Sequence, residues 1–330
     1  MVIAVDAFGS DNSPKVEVKG VVDAIKKGFC DKILLTGNKD ILSKELALLG
    51  YENNQKIELV HTSQTITMDD VATSSVRKKK DSSLVKAIQL VKDKKANAMV
   101  SAGNTGAVMS ASLFIYGRIK NIKRPAIATI IPTLKKPQIL LDAGANVDST
   151  SKNILQFAKI GSIYAKNYLK RKNVRVSLFN IGGEEKKGNE LSRVSYTLLK
   201  EDKSINFIGN IEGKEFFEGN TDVVVCDGFT GNVILKMAEG SLSFVFTIIK
   251  RMVKKNIISL FGLLFFIPII KYLKNNLNPS KYGGALLVGL NDISIIAHGS
   301  SDSMAITNAI GFAKKVVKSK FVDETIELFN

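Results

Sequence analysis

Four glycine-rich turns contain the residues of this sequence that are best suited to binding an anion. Each turn combines Gly with Asn or Asp and directly follows a short apolar run, at residues 101–106, 142–146, 180–184 and 227–232. Glycine lets backbone N–H groups approach a ligand closely, and the start of the following helix adds a partial positive charge. A single turn of this kind would be weak evidence, because turns in general favour Gly and Asn. Four of them predict a shared phosphate site.

Two side chains beside these segments could stabilise negative charge. Lys187 follows the third turn and precedes a predicted helix, so its ammonium group could neutralise phosphate or stabilise a developing oxyanion. The alternative is that it is an ordinary surface lysine. His298 lies between a strand-like run and a helix, and the Gly and Ser residues that follow it are typical of an anion-binding helix start. Helix capping is the alternative role for this segment.

Motifs for several other chemistries are missing from the sequence. It contains no dinucleotide G-x-G-x-x-G, no Walker G-x-x-x-x-G-K-[ST] and no G-x-S-x-G elbow. With two histidines, a His-based metal cluster is not expected, and Asp69 and Asp70 are interpreted as helix caps rather than as a metal pair. Cys226 has no base near it in the sequence, so we interpret it as structural. We therefore expect neither a metal nor another cofactor.

The net charge of +16 favours an acidic partner. It arises from 47 basic and 31 acidic residues and would suit nucleic acid, an anionic membrane or an acidic protein, unless the lysines merely solvate the surface. Nucleic acid is disfavoured, because the sequence has no zinc-ligand spacing, no RNA-binding aromatic signature and no Trp. Two isolated cysteines and the lack of a signal-peptide pattern favour a reducing cytoplasm.

Short apolar runs alternate with longer amphipathic runs along the chain. The predicted strands are 2–5, 32–35, 57–60, 98–100, 126–131, 139–141, 174–178, 206–208 and 223–226. The predicted helices are 15–27, 40–49, 83–92, 152–170, 190–200, 233–250 and 303–318. This alternation predicts a three-layer α/β/α sandwich, in which a mostly parallel sheet is covered on both faces. No linker rich in Pro, Gly or Ser interrupts the chain, so we expect a single α/β domain over 1–330.

An apolar segment at 256–270 is uncharged for 15 residues and has lysines on both sides. A membrane-spanning helix needs about 20 apolar residues, and Pro268 would bend this one, so it is predicted not to cross a bilayer. It suits a dimer contact or an anchor at the membrane surface, with a buried core helix as the alternative. We expect a helical protrusion over 245–282. Its predicted membrane-contact residues are Leu260, Phe261, Leu264 and Phe265.

The ordered motifs of the chain resemble those of one enzyme family. They lie at 6–14, 77–83, 101–106, 117–118, 124–126, 141–146, 180–182, 187–189, 206–213, 226–232, 282–285 and 297–301. Over essentially the whole chain, the sequence resembles the bacterial acyl-carrier-protein:phosphate acyltransferases, the PlsX family. Phe8 and Ser10 stand where this family usually has Met and Gly, and the turn at 182–185 carries a Gly where a larger residue is expected.

The resemblance implies a fold like that of phosphotransacetylase and isocitrate dehydrogenase, a homodimer, and no metal or redox cofactor. It implies fatty acyl-[acyl-carrier protein] as donor and inorganic phosphate as acceptor. The acyl phosphate would pass to a membrane glycerol-3-phosphate acyltransferase for phosphatidic acid and phospholipid synthesis. We therefore expect a cytoplasmic enzyme that associates peripherally with an anionic membrane surface. Two alternatives remain: a phosphotransacetylase-like enzyme that uses acyl-CoA, and a membrane-binding protein without activity.

The expected mechanism is direct acyl transfer without a covalent enzyme intermediate, because phosphate is itself a nucleophile and a thiolate leaves readily. Lys187 and backbone N–H groups would stabilise the oxyanion, Asp227 and Asn232 would orient phosphate or the pantetheine arm, and His298 would donate a hydrogen bond. These four are the predicted catalytic residues. The predicted substrate-binding residues are Asp6, Gly9, Asp11, Gly103, Asn104, Thr105, Gly106, Asp142, Gly144, Asn146, Gly228, Thr230, Gly231, Gly299 and Ser300.

Overall fold

The computed structural model describes residues 1–255 and 283–330, which form alternating strands and helices. The strands are β1 (Val2–Asp6), β2 (Lys32–Gly37), β3 (Ile57–His61), β4 (Ala98–Ser101), β5 (Ala126–Ile131), β6 (Gln138–Leu141), β7 (Arg175–Phe179), β8 (Asn206–Ile211), β9 (Val223–Val225), β10 (Ala285–Val288) and β11 (Ser294–Ile296). The helices are α1 (Lys15–Lys26), α2 (Lys39–Leu48), α3 (Ala72–Lys78), α4 (Ser83–Lys92), α5 (Thr105–Tyr116), α6 (Ser151–Asn167), α7 (Glu190–Glu201), α8 (Gly228–Lys255), α9 (Ser303–Lys318) and α10 (Phe321–Phe329).

The strands form an 11-stranded sheet in the order β3-β2-β1-β4-β11-β10-β5-β6-β9-β7-β8. The strands from β3 to β11 in this order pair in parallel, and so do those from β6 to β8. Between these two blocks, β10 is antiparallel to β11 and β5, and β5 is antiparallel to β6. Three successive reversals make the two parallel blocks run in opposite directions.

Helices cover both faces of this sheet. In β1, Ile3 and Val5 pack into one apolar core and Ala4 packs into a second, because successive side chains of a strand point to opposite faces. Buried residues of α1, α6 and α9 belong to the first core, and those of α4 and α5 belong to the second. The predicted α/β/α sandwich with a mostly parallel sheet is therefore confirmed.

Side-chain caps fix where several helices begin. The side chain of Asn38 accepts hydrogen bonds from the second and third residues of α2, and Ser82 caps α4. Thr150 and Asn153 bond reciprocally in a capping box at the start of α6. These caps satisfy N–H groups that have no partner inside the helix, so the loops before the helices are held in register with the sheet.

The predicted strands and helices occur, but five further elements were missed and one helix begins earlier than predicted. The missed elements are β10, β11, α3, α5 and α10. The start of α5 lies inside the first glycine-rich turn, which we interpreted as a loop, and β10 follows two glycines. Helix α8 begins at Gly228 rather than at residue 233, so the fourth turn is mostly helical.

From Asn232 to Arg251, the residues of helix α8 are exposed or only partly buried. Its stretch Gly228–Arg251 is 24 residues long with a mean hydropathy of 1.4, which is enough by length and composition alone to cross a bilayer. Its first turns line the cavity described below. The predicted protrusion over 245–282 begins within α8, but 256–270 and its four predicted membrane-contact residues lie outside the described residues, so the membrane contact stays a prediction.

Candidate functional site

A cavity of about 760 Å³ lies over the central strands of the sheet. Its lining includes Ile127 and Thr129 of β5, Ala285 of β10 and Ile296 of β11. Because β10 and β5 join the two parallel blocks, loops from both blocks reach this cavity. A cleft of this kind, partly apolar and lined by convergent polar groups, is the usual setting of a small-molecule site.

Eight of the residues predicted from the sequence line this cavity. They come from the loops after β1, β4, β6 and β11, from the start of α5 and from α8: Asp11, Gly103, Thr105, Gly144, Asn232, His298, Gly299 and Ser300. Three of the four predicted turns therefore meet here, together with the segment after β11. The chemical roles assigned to these residues remain predictions.

Two capped helix N-termini face the cavity. Asn104 Oδ1 accepts a hydrogen bond from Ala107 N at 3.1 Å at the start of α5, and Asp302 accepts one from Ala305 N at 2.8 Å at the start of α9. Thr105 and Ala305 also line the cavity, so both helices begin at its wall. The first turn of a helix carries a partial positive charge, and both helices therefore favour an anion in the cavity.

Lys236 of α8 also lines the cavity and was missed by the sequence analysis. Its Nζ lies 3.3 Å from Nε2 of His298 and 2.8 Å from a carboxylate oxygen of Glu239. Asn232, Lys236 and Glu239 are spaced by four and three residues, so they share one face of α8. This spacing could have identified Lys236 from the sequence. It was missed because the helix was predicted to start at residue 233, which excluded Asn232.

His298 connects α8 to the start of α9. Its Nδ1 lies 2.8 Å from the hydroxyl of Ser300, while its Nε2 approaches Lys236. Ser300 and Gly299 line the cavity beside it. A cation, an imidazole and a hydroxyl thus converge at one wall, and all three can hydrogen-bond a phosphate or carbonyl oxygen.

The loop after β1 packs tightly against the loop after β4. A Cβ atom on Gly9 would lie 2.6 Å from Gly103 N, so only glycine permits this approach. Asp11 N donates to Gly299 O at 2.9 Å, which ties the same loop to the segment after β11. Ser10 does not adopt a positive φ, so a serine fits where the family usually has glycine.

Asp6 and Asp142 are buried behind the cavity and do not line it. Asp6 accepts a hydrogen bond from Ser101 Oγ at 2.8 Å, and this hydroxyl accepts one from Gly103 N at 3.0 Å. Burial raises the pKa of the Asp6 carboxyl, which these hydrogen bonds oppose. Asp6 therefore supports a cavity loop from within.

Asp142 organises the loop after β6 in the same way. Its carboxylate accepts hydrogen bonds from the backbone N–H groups of Ile127, Gly144, Ala145 and Asn146 and from the side chain of Asn146. Burial raises the pKa of Asp142, and the donors counteract that rise. The side chain of Asn146 also donates to Pro125 O at 2.8 Å. Both predicted binding residues thus fix the loop that presents Gly144.

The remaining predicted glycines bring elements close together. A Cβ on Gly228 would lie 2.5 Å from Asn146 O, and one on Gly231 would overlap the backbone oxygen of Asp142, so α8 starts directly against the loop after β6. A Cβ on Gly106 would lie 3.0 Å from Ala72 of α3. None of these three glycines lines the cavity.

Asp227 and Thr230 line a second, smaller cavity of about 270 Å³. It lies beside the ends of β7 and β9 and is also lined by Asn180 and Ser192. The carboxylate of Asp227 accepts hydrogen bonds from Thr230 N and from Thr230 Oγ1, each at 2.8 Å. Asp227 thereby caps α8. Its catalytic role remains a prediction.

Lys187 lines neither of these two cavities and is exposed. Its backbone oxygen accepts a hydrogen bond from the side chain of Asn180 at 3.0 Å, and its backbone N–H donates to Glu184 O at 3.2 Å. The third glycine-rich turn therefore does not reach the larger cavity, although Asn180 at its start lines the smaller one beside the fourth turn.

Among the described residues, other reactive side chains are poorly suited to catalysis. Burial raises the pKa of the Cys226 thiol well above its ordinary value, and Asp227 and Asp142 raise it further, so the thiolate is disfavoured. Within residues 1–255 and 283–330, no group of three His, Cys, Asp or Glu side chains is arranged to hold a metal ion.

Comparison with known proteins supplies the family of this chain. The model of the family described as "Fatty acid synthesis protein" matches residues 1–324. The chain belongs to this family. Among curated relatives, a phosphate acyltransferase from Moorella thermoacetica is 47% identical over 322 residues, which cover 98% of this chain and 94% of the relative. A phosphate acyltransferase from Halothermothrix orenii is 46% identical over 323 residues, 98% of this chain and 96% of the relative.

Solved structures support the fold of this family member at low sequence identity. A phosphotransacetylase from Streptococcus pyogenes matches with a TM-score of 0.63 and 14% identity, covering 96% of this chain and 94% of that one. A branched-chain phosphotransacylase from Enterococcus faecalis matches with a TM-score of 0.61 and 13% identity, covering 96% and 99%. The expectation of a phosphotransacetylase-like fold is confirmed.

Proposed function

We propose that this protein transfers a fatty acyl group from acyl-[acyl-carrier protein] to inorganic phosphate and so forms an acyl phosphate. The observation that carries the proposal is the pair of Lys236 and His298 at a cavity where two helices begin. Such a wall favours an anion. Family membership and relatives named phosphate acyltransferases support acyl transfer to phosphate as the reaction.

The proposed mechanism needs a bound phosphate next to the thioester carbonyl. The first turns of α5 and α9 and the ammonium group of Lys236 hold the phosphate, which attacks the carbonyl carbon directly. The carbonyl oxygen gains negative charge, and His298 or nearby backbone N–H groups stabilise it by hydrogen bonding. The tetrahedral intermediate then expels the donor thiolate. No enzyme thiol is required, in keeping with the buried Cys226.

The cavity also has an apolar side that suits the acyl chain. Ile127, Ala143, Leu235 and Ile296 contribute to its lining. These apolar side chains would pack against the acyl chain of a fatty thioester, while the polar groups of the lining hold the phosphate near its carbonyl. In this proposal the product serves a membrane glycerol-3-phosphate acyltransferase and thus phospholipid synthesis.

A donor comparison tests the reaction. We expect purified protein to release the carrier thiol from acyl-[acyl-carrier protein] only when phosphate is present, and to form acyl phosphate in equal amount. Faster reaction with a short acyl-CoA would favour the phosphotransacetylase-like alternative. Release that does not depend on phosphate, or no release with either donor, would exclude the proposed activity and favour a binding protein.

The positive charge offers a test of the carrier itself. A net charge of +16 would steer an acidic carrier protein, and exposed charges are screened beyond about 8 Å at physiological salt. We expect the KM for acyl-[acyl-carrier protein] to rise with salt more steeply than the KM for an acyl-CoA. If the two KM values rose equally with salt, the positive charge would not be steering the carrier protein.

We also propose that the protein is a cytoplasmic homodimer that binds an anionic membrane surface through 256–270. Supporting this, the described part of α8 that leads toward this segment exposes apolar side chains at helical spacing. They are Val233, Met237, Phe244 and Ile248. Lysines on both sides of the segment would each contribute about 1 kcal/mol at such a surface.

Replacing Leu264 and Phe265 by Glu tests this attachment. We expect the double variant to sediment no longer with anionic vesicles, while it keeps its activity in solution and its dimer in gel filtration. A variant that still binds vesicles but elutes as a monomer would identify the segment as a dimer contact instead.

A further inference from the structure

Glu17 is a fully buried carboxyl behind the loop that follows β1. It lies on α1 with no exposed surface, and its Oε1 accepts a hydrogen bond from Ser10 N at 3.0 Å. Its second oxygen, Oε2, is buried without a hydrogen-bond partner, and so is the hydroxyl of Ser10. Buried polar atoms are nearly always paired in folded proteins, so a functional reason is expected for a carboxyl in this position.

Ser10 connects this carboxyl to two walls of the cavity. On one side, Gly9 packs against Gly103 so closely that a side chain would not fit. On the other side, Asp11 lines the cavity and its N–H donates to Gly299 O. Ser10 therefore lies between the two contacts that join the loop after β1 to the loops after β4 and β11.

We propose that Glu17 is a positioning residue, which holds this loop through Ser10 and couples its own ionisation to the binding of phosphate in the cavity. The coupling to phosphate rests on the function proposed above, whereas the coupling to the loop does not. A hydrogen bond between the Ser10 hydroxyl and Oε2 can pair both atoms in either state, since Glu17 donates when protonated and the hydroxyl donates when Glu17 is ionised. The two states differ in charge: ionised Glu17 adds a negative charge behind a wall that must receive an anion.

The surroundings of Glu17 favour the protonated form. Burial, with a smaller contribution from the nearby carboxyl of Asp6 on β1, raises the pKa of this carboxyl to about 7 against the lowering effect of Ser10. Among the described residues, none forms an ion pair with Glu17. On α9, Asp302 caps its own helix, and Lys314 donates to Gly28 O past the far end of α1. The remaining charged groups on α1 and α2 near this end are partly or fully exposed: Lys15, Lys19, Lys39, Asp40, Lys44 and Glu45.

Folding thermodynamics gives a test that needs no substrate. In the unfolded chain Glu17 ionises near pH 4.5, whereas in the folded protein it ionises near pH 7. The folded state therefore binds more protons between these values, and the free energy of unfolding falls as pH rises through this window. In Glu17→Gln this contribution is absent. We expect the Tm of wild type to fall relative to that of Glu17→Gln between about pH 5 and about pH 8.

Kinetics gives the second test. Phosphate itself titrates in this range, so wild type and Glu17→Gln are compared at each pH with the same phosphate solution. We expect the ratio of their KM values for phosphate, wild type over variant, to rise about three- to tenfold between about pH 6 and about pH 8. The exposed Glu52 provides the matched control, and Glu52→Gln should leave both the Tm difference and the KM ratio flat.

The outcomes separate the two proposals. A pH-dependent Tm difference without any phosphate-dependent activity would support the role of Glu17 in the loop and refute the function proposed above. Flat profiles in both experiments would overturn the role of Glu17. If Glu17→Gln does not fold, Ser10→Gly keeps the backbone N–H and removes the hydroxyl. Because the Ser10 hydroxyl lowers the pKa of Glu17, we expect the pH at which the Tm falls to be higher in this variant than in wild type. An unchanged pH for this fall would contradict the proposal.

Discussion

The two cavities beside α8 differ in what they present to a ligand, although glycine-rich turns of the same kind border both. The larger one combines Lys236, His298 and the starts of two helices with an apolar side. The smaller one is lined by a mixture of apolar and polar side chains, with no Lys, Arg or His among its described lining residues, and its carboxylate, Asp227, is used to cap α8. The composition of a turn thus does not decide its chemistry, which depends on what the fold brings next to it.

The order of strands explains the difference. In the sheet, β6 is the neighbour of β5, whereas β9 and then β7 lie progressively farther out. Adjacent strands are about 4.8 Å apart, so the turn after β7 lies about 10 Å farther from the central cleft than the turn after β6. The turn that precedes Lys187 is therefore carried away from the cavity.

Lys236→Ala should give the largest effect, because it removes the cation of the larger cavity. We expect kcat/KM for phosphate-dependent transfer to fall about 100-fold or more, by analogy with the loss of one charge-stabilising group in other active sites. The Tm should change little, since the side chain is half exposed. Lys250→Ala, an exposed lysine on the same helix, is the control and should retain full activity. Equal losses in the two variants would show that α8 contributes only general charge.

Gly9→Ala should have the next largest effect, because it disturbs the packing between two loops. The added methyl group would meet backbone atoms of the next loop, and we expect a loss of about 1–3 kcal/mol in the free energy of unfolding measured by urea denaturation. Gly183→Ala is the matched control in the turn near Lys187. There the nearest atom is 3.8 Å away and φ is not positive, so a change within about 0.5 kcal/mol is expected. Similar losses in the free energy of unfolding at both positions would contradict the difference in packing between the two turns.

Lys187→Ala distinguishes the sequence-based prediction from the structure most directly. Sequence reasoning predicts a sharp loss of turnover without loss of the fold. From its exposed position outside both cavities, we instead expect a change of at most about threefold in kcat and in the KM for phosphate. Steady-state kinetics at varied phosphate decide, and a sharp loss would mean that the turn after β7 reaches the reacting groups during catalysis.

Cys226→Ser should give the smallest effect. The thiol is buried, its pKa is raised by burial, and its Sγ lies 3.7 Å from Asp142 O, where a serine hydroxyl could also donate. Activity within about twofold of wild type is expected, because direct transfer uses no enzyme thiol. Mass spectrometry that finds an acyl group on Cys226 during turnover would refute direct transfer.

Much of the fold follows from local sequence patterns. The strand 126–131 and the helices 83–92 and 303–318 were predicted with the bounds that the structure has, since apolar periodicity and caps act over a few residues. The missed β10 is only four residues long and follows two glycines, so no period is established along it. Yet this strand takes part in two of the three reversals that lie between the two parallel blocks.

The sequence by itself determined which segments are rich in groups that bind anions, and eight of these residues line one cavity. It also contained the helical spacing that places Asn232, Lys236 and Glu239 on one face. Only the tertiary structure decided that Lys187 lies apart, that Asp6 and Asp142 support loops from inside, and that Lys236 meets His298. Residues far apart in the chain become neighbours through the order and direction of strands, which depend on non-local packing rather than on the composition of any single turn.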